Sequence, residues 1–129
     1  MERFIILLKD TEKALNTLDE VLKMDASDFT RDAAIQRFEY SFELFWKTVR
    51  IYLREGEGIE CNSPKRCFRE LFGVGVVNEK DTETLLRMTD TRNLTVHTYQ
   101  EKLAQEIYQQ LPQYNRLMKK LIRRMKKSQ

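Results

Sequence analysis

A chain of 129 residues with four glycines, two prolines and 33% charged side chains suits one helical domain spanning residues 1–129, and excludes an all-β fold, which needs many more tight turns. Its 41% hydrophobic content places it far from disordered compositions. The net charge of +3 hides an asymmetry: residues 1–106 hold 16 basic and 20 acidic side chains, a net of −4, whereas residues 107–129 hold seven basic side chains and no acid.

The apolar run at residues 4–8 (FIILL) is followed at once by Lys9 and Asp10. It is too short for a signal-peptide core and far too short for a membrane span. Cys61 and Cys67 match no zinc or redox spacing. With no secretory signal they read as reduced thiols in a cytoplasmic protein.

In chain order, a first helix is predicted over residues 2–24, where Phe4, Leu8, Leu15, Leu18 and Leu22 share one face. Ser27 or Asp28 then caps a second helix over residues 30–54. Its stripe of Ile35, Phe38, Phe42, Phe45, Val49 and Tyr52 has alternating spacings of three and four, the period of a bundle seam. Glu39, Glu43 and Lys47 lie four apart on another face, which is either a solvated ladder or, through Glu39, a neighbour of the Arg92/His97 stretch described below.

The glycines of residues 55–58 (EGEG) stop that helix. Ser63 and Pro64 start a short third one, with Cys67, Phe68, Leu71 and Phe72 as its apolar face, ending near Gly73. Residues 73–77 (GVGVV) read as a connector whose valines tuck onto the bundle. A fourth helix starts between residues 78 and 82 and buries Leu85, Met88, Val96 and Leu94. A last helix begins near Glu101, and Pro112 is expected to kink or split it. Beyond Pro112, Leu117, Leu121, Ile122 and Met125 face the core opposite the basic residues. The predicted architecture is all-α, an up-and-down four-helix bundle with an additional short helix.

Chemistry concentrates in residues 89–99 (TDTRNLTVHTY), which contain the only histidine. On a regular helix, advancing about 100° per residue, Asp90, Asn93 and His97 share one face. Arg92 lies about 140° from His97 and does not converge with it by default. Either the helix breaks, or the long arginine side chain wraps round, or a second copy of the chain completes the site. An imidazole near neutral pKa moves protons, an arginine holds phosphate and stabilises charge developing on it, and Asn93 or Asp90 orients either group. Together these groups fit metal-independent RNA cleavage leaving a 2′,3′-cyclic phosphate. A histidine that merely caps a helix end or bonds a neighbour is the competing reading. No zinc cluster, glycine-rich phosphate loop or Ser-His-Asp spacing is present, so neither metal nor cofactor is expected.

Residues 92–99 (RNLTVHTY) resemble the R-x4-6-H motif of the HEPN superfamily in its R-x4-H-x-Y form. Residues 32–47 (DAAIQRFEYSFELFWK) are similar to the second helix of the HepT toxins and of the nucleotidyltransferase substrate-binding subunits. The resemblance covers essentially the whole chain. It implies a homodimer with paired motifs, and a minimal nucleotidyltransferase as partner. By position it makes Arg92 and His97 catalytic with Asn93 in support, and Tyr99 the acceptor of AMP that silences an RNase toxin. It equally admits a non-catalytic substrate-binding subunit. Asp90 and Glu39 are the expected supporting residues. Lys119, Lys120, Arg123 and Arg124 are the expected contacts to RNA or to the partner, unless they are simply a solvated face.

Overall fold

Helix starts are set by three side-chain caps, each worth about 1 kcal/mol. Ser27 Oγ accepts the Thr30 N–H at 3.1 Å while Thr30 Oγ1 accepts the Ser27 N–H at 2.8 Å. Ser63 Oγ accepts the Arg66 N–H, and Asn78 Oδ1 accepts the Asp81 N–H at 2.7 Å. The structure, a computed structural model, describes residues 2–128. In order it has α1 (Glu2–Leu22), α2 (Asp28–Glu57), α3 (Pro64–Gly73), α4 (Glu79–Leu94), a 3-10 turn (Thr95–His97) and α5 (Glu101–Lys127). It is an all-α bundle with no strand among the described residues, and no helix in it is long and apolar enough to cross a membrane.

The central helix is α2, which packs against α1, α3 and α5 and touches α4 more lightly. Its whole predicted stripe is buried. The aromatic rings mesh across helices: Phe38 stacks on Tyr114 of α5 at 5.8 Å, while Phe42 and Phe45 meet Phe68 of α3 at 6.1 and 5.8 Å. The apolar face of α5 (Leu117, Leu121, Ile122, Met125) closes the same core.

Several expectations need correction. The glycine cap of the second helix is as expected, with Gly58 at a left-handed φ of 68° and the Ile59 N–H returning to the Leu53 carbonyl at 3.0 Å, but the helix runs through Gly56 to Glu57 rather than ending near Arg54. A helical glycine costs stability but does not itself end a helix. Pro112 does not split α5, which continues from Glu101 to Lys127. The missing N–H of Pro112 is offset by burial of Leu111, Tyr114, Asn115 and Met118 around it. Phe72 is exposed, because the short α3 spends its inward face on Cys67, Phe68 and Leu71.

The cysteines are not free thiols. Cys61 and Cys67 form a disulfide, their Cα atoms 5.3 Å apart. Ser63 and Pro64 turn the chain so that the first turn of α3 brings Cys67 back over the extended segment before it, and both residues lie within the core. A separation of six residues revealed none of this, because pairing depends on where the helix starts.

Candidate functional site at the α4–α5 junction

The site is built where α4 stops. Thr95 is buried at this point, and its hydroxyl oxygen lies 2.7 Å from Glu39 Oε2 on α2 and 2.7 Å from the Arg92 carbonyl. Its single hydrogen serves one of these acceptors at a time. Because the Thr95 N–H already reaches the Arg92 carbonyl, the carboxylate is the better use of the hydroxyl hydrogen. The same oxygen accepts from Arg92 Nη1 at 3.1 Å. The chain then tightens into the 3-10 turn, and the Gln100 N–H closes on the His97 carbonyl at 3.0 Å. The helix does break between Arg92 and His97, but the break turns the two side chains to different partners.

The break separates two small clusters. Arg92 turns to α2, with Nη1 3.5 Å from Glu39 Oε2 and Nε 3.7 Å from Glu43 Oε1. Its Nε is buried and makes no hydrogen bond among the described residues, so the second pair is purely coulombic. His97 turns to Tyr99: its Nδ1 lies 3.4 Å from the phenol oxygen, and the rings meet edge to face at 5.9 Å. Tyr99 is 79% exposed. With Thr98 it borders a groove of about 280 Å³ whose other wall is Asp32, Ile35, Gln36 and Glu39 of α2.

A buried arginine holds the frame of this groove. Arg31 is only 7% exposed and reaches Glu101 at 2.8 Å, Asp32 at 3.0 Å and Asp28 at 3.6 Å. Its hydrogen bonds, to Glu101 first and then to Asp32, push its pKa above the ordinary guanidinium value against the opposing effect of desolvation. The start of α2 is thereby tied to the start of α5, which limits where residues 98–100 can lie.

The remaining predicted residues are placed as follows. Asn93 is exposed on the last turn of α4. Asp90 pairs with Lys65 of α3 at 2.6 Å and is not brought to His97. Val96 is 65% exposed, contrary to expectation, because the turn at Thr95 rotates it off the buried face, while Leu94, still on α4, is exposed because it lies about 180° round the helix from buried Leu85. In the tail, Lys119 pairs with Asp19 at 3.2 Å, Lys120 with Asp81 at 3.1 Å, and Arg124 with Asp81 at 3.7 Å, while Arg123 is exposed beside α1. Burial alone would raise the pKa of Asp19, but hydrogen bonds from Lys119 and Lys23 outweigh it and hold the carboxyl below its ordinary range.

Residue reasoning missed Thr95, Glu43 and Arg31. Glu43 shares a helix face with Glu39 and was within reach of the same argument. The link from Arg31 to Glu101 spans 70 positions and left no local trace.

The family described as nucleotidyltransferase substrate binding protein like matches residues 7–127. Among solved structures, a crystal structure of a protein from Thermus thermophilus is 50% identical, with a TM-score of 0.87 over 89% of this chain and 98% of that one. A crystal structure described as a toxin-antitoxin with AMP-PNP is 14% identical, with a TM-score of 0.73 over 95% of this chain and 96% of that one, a likeness of fold. No curated protein matches the chain.

Proposed function

Since the chain belongs to the nucleotidyltransferase substrate-binding protein-like family, of HEPN and HepT-like type, we propose that it is the toxin component of a two-gene nucleotidyltransferase module. It acts as a metal-independent RNase and is neutralised when its partner transfers AMP to Tyr99. The observation that carries the reading is the pairing of His97 with an exposed Tyr99 just past the helix break that follows Arg92, with the phenol beside the imidazole.

In the cleavage step His97 takes the proton of a ribose 2′-hydroxyl. The 2′-oxygen bonds to the adjacent phosphorus, and the P–O5′ bond breaks. The leaving oxygen takes up a proton, giving a 5′-hydroxyl and a cyclic phosphate. Arg92 stabilises the extra negative charge on the phosphorane oxygens. A homodimer that pairs two motifs supplies a second imidazole for the leaving group. In silencing, the Tyr99 oxygen attacks the α-phosphorus of ATP, pyrophosphate leaves, and the phenol proton passes to a base, for which His97 Nδ1 is the neighbour at hand. The attached AMP then crowds His97 and adds a negative charge beside it.

A second reading has its own support. Glu39 and Glu43 hold Arg92 in this structure, and Asp32 and Glu101 add further acid nearby. Surroundings in which acids outnumber Arg92 and Arg31 suit a subunit that presents a substrate to the nucleotidyltransferase without cutting RNA itself. The test is incubation of single-stranded RNA in EDTA with the unmodified protein and with Arg92→Ala and His97→Ala. Cleavage by the wild type alone, leaving cyclic phosphate ends, is the expected result. Intact RNA with an unmodified Tyr99 moves the assignment to the substrate-binding subunit.

A further inference from the structure

The basic tail does not present one face. Lys119 and Arg123 lie against α1, with Glu12 and Asn16. Lys120 and Arg124 turn the other way, to Asp81 near the start of α4. On that side α4 and α5 enclose a groove of about 200 Å³ lined by Lys80, Thr84, Gln113, Arg116 and Lys120, together with Asp81.

Charge in this groove is unbalanced. Asp81, whose side chain is 13% exposed, is already shared by Lys120 and Arg124. Lys80 and Arg116 form no ion pair with any described residue, and Arg87 extends the positive side toward the motif end of α4, its Nη2 3.5 Å from Thr84 Oγ1. In the lining itself one acid, Asp81, therefore stands among three cations, Lys80, Arg116 and Lys120, with Arg124 adjoining through Asp81. Arg116, Lys120 and Arg124 recur every four residues, so their steps along α5 are about 6 Å each. That is comparable to the separation of successive phosphates along a stretched single strand.

We infer that this α4–α5 groove is a phosphate-binding track for single-stranded RNA, separate from the Arg92/His97 site. Cationic grooves hold single strands through the backbone. Gln113 and Thr84 offer hydrogen bonds, and no aromatic ring lines the groove to stack a base, so the track is indifferent to sequence. Asp81 orients Lys120 and Arg124 without cancelling the excess. The inference shares its RNA with the function proposed above but requires no cleavage.

The test measures fluorescence anisotropy of a labelled 2′-O-methyl RNA, which cannot be cut because it lacks the attacking hydroxyl, against the full chain over a range of KCl concentrations. The double variant Lys80→Gln/Arg116→Gln removes cations that hold no structural ion pair. It should weaken binding about tenfold or more and lower the slope of log affinity against log salt by about 1.4, because each single-strand phosphate contact contributes about 0.7. Gln113→Glu, which places an acid inside the groove, should weaken binding similarly. Lys9→Gln/Lys13→Gln, exposed on α1 away from the groove, should bind as the wild type does. Wild-type protein that shows no salt-dependent RNA binding overturns the inference. So does a groove variant that keeps its RNA affinity, or that keeps it while losing the nucleotidyltransferase partner, which would make the groove a protein-docking surface. Because the readout is binding, a chain that never cleaves RNA leaves this result standing.

Discussion

The seam between α2, α3 and α5 and the junction between α4 and α5 are built by different means. The seam is a repeating set of large apolar side chains, each nearly sealed from water. The junction is six residues of irregular backbone fixed by Thr95, the Arg31 pairs and the Glu39–Arg92 contact, with its chemical groups turned outward. Burial in the first region supplies stability. In the second, exposure leaves His97 and Tyr99 open to another molecule. The two regions should therefore separate when mutated, one losing stability and the other activity.

The largest effect belongs to the seam. Phe42→Ala removes a ring packed against Phe38 and Phe68 and should cost about 3–5 kcal/mol in chemical denaturation. A loss near zero would mean that the seam does not carry the fold. At the junction, His97→Ala should reduce RNA cleavage by about 100-fold or more. Being a change at an exposed residue, it should shift stability by less than about 0.5 kcal/mol. Equal losses of both would erase the contrast.

Smaller changes sharpen it. Glu43→Gln frees Arg92 of one partly exposed carboxylate and should improve the KM for RNA by up to roughly fivefold, since such a pair is worth at most about 1 kcal/mol. A worse KM would make Glu43 a support for the arginine rather than its competitor. The smallest effect is acid sensitivity at Asp19. Its folded pKa lies below the ordinary 3.8, so its pairs stabilise the protein above that value and the contribution fades as pH falls through the folded pKa. Asp19→Asn should therefore be less stable than the wild type near neutrality and nearly equal to it in strong acid. A constant gap would place the cost elsewhere.

The same contrast explains what could be read in advance. The α2 stripe and the caps at Ser27 and Ser63 rest on local periodicity and local hydrogen bonds, which a sequence displays directly. The motif residues were legible as chemical types, but their placement was not. A regular helical wheel carried through residue 96 buried Val96 and set Asp90 beside His97. The turn at Thr95, held by a carboxylate 56 positions away, cancels both. Pairs such as Arg31 with Glu101 and Cys61 with Cys67 depend on how elements dock or where a helix begins, which no spacing announces.

On the function proposed, Tyr99 switches off the site that it borders when it carries AMP. The most direct measurement follows AMP occupancy of Tyr99 by peptide mass during incubation with ATP and a cognate nucleotidyltransferase, while RNA cleavage is assayed on the same samples. Cleavage should fall in proportion to occupancy, and Tyr99→Phe should stay unmodified and active. Fully modified protein that cuts RNA at the unmodified rate would contradict it.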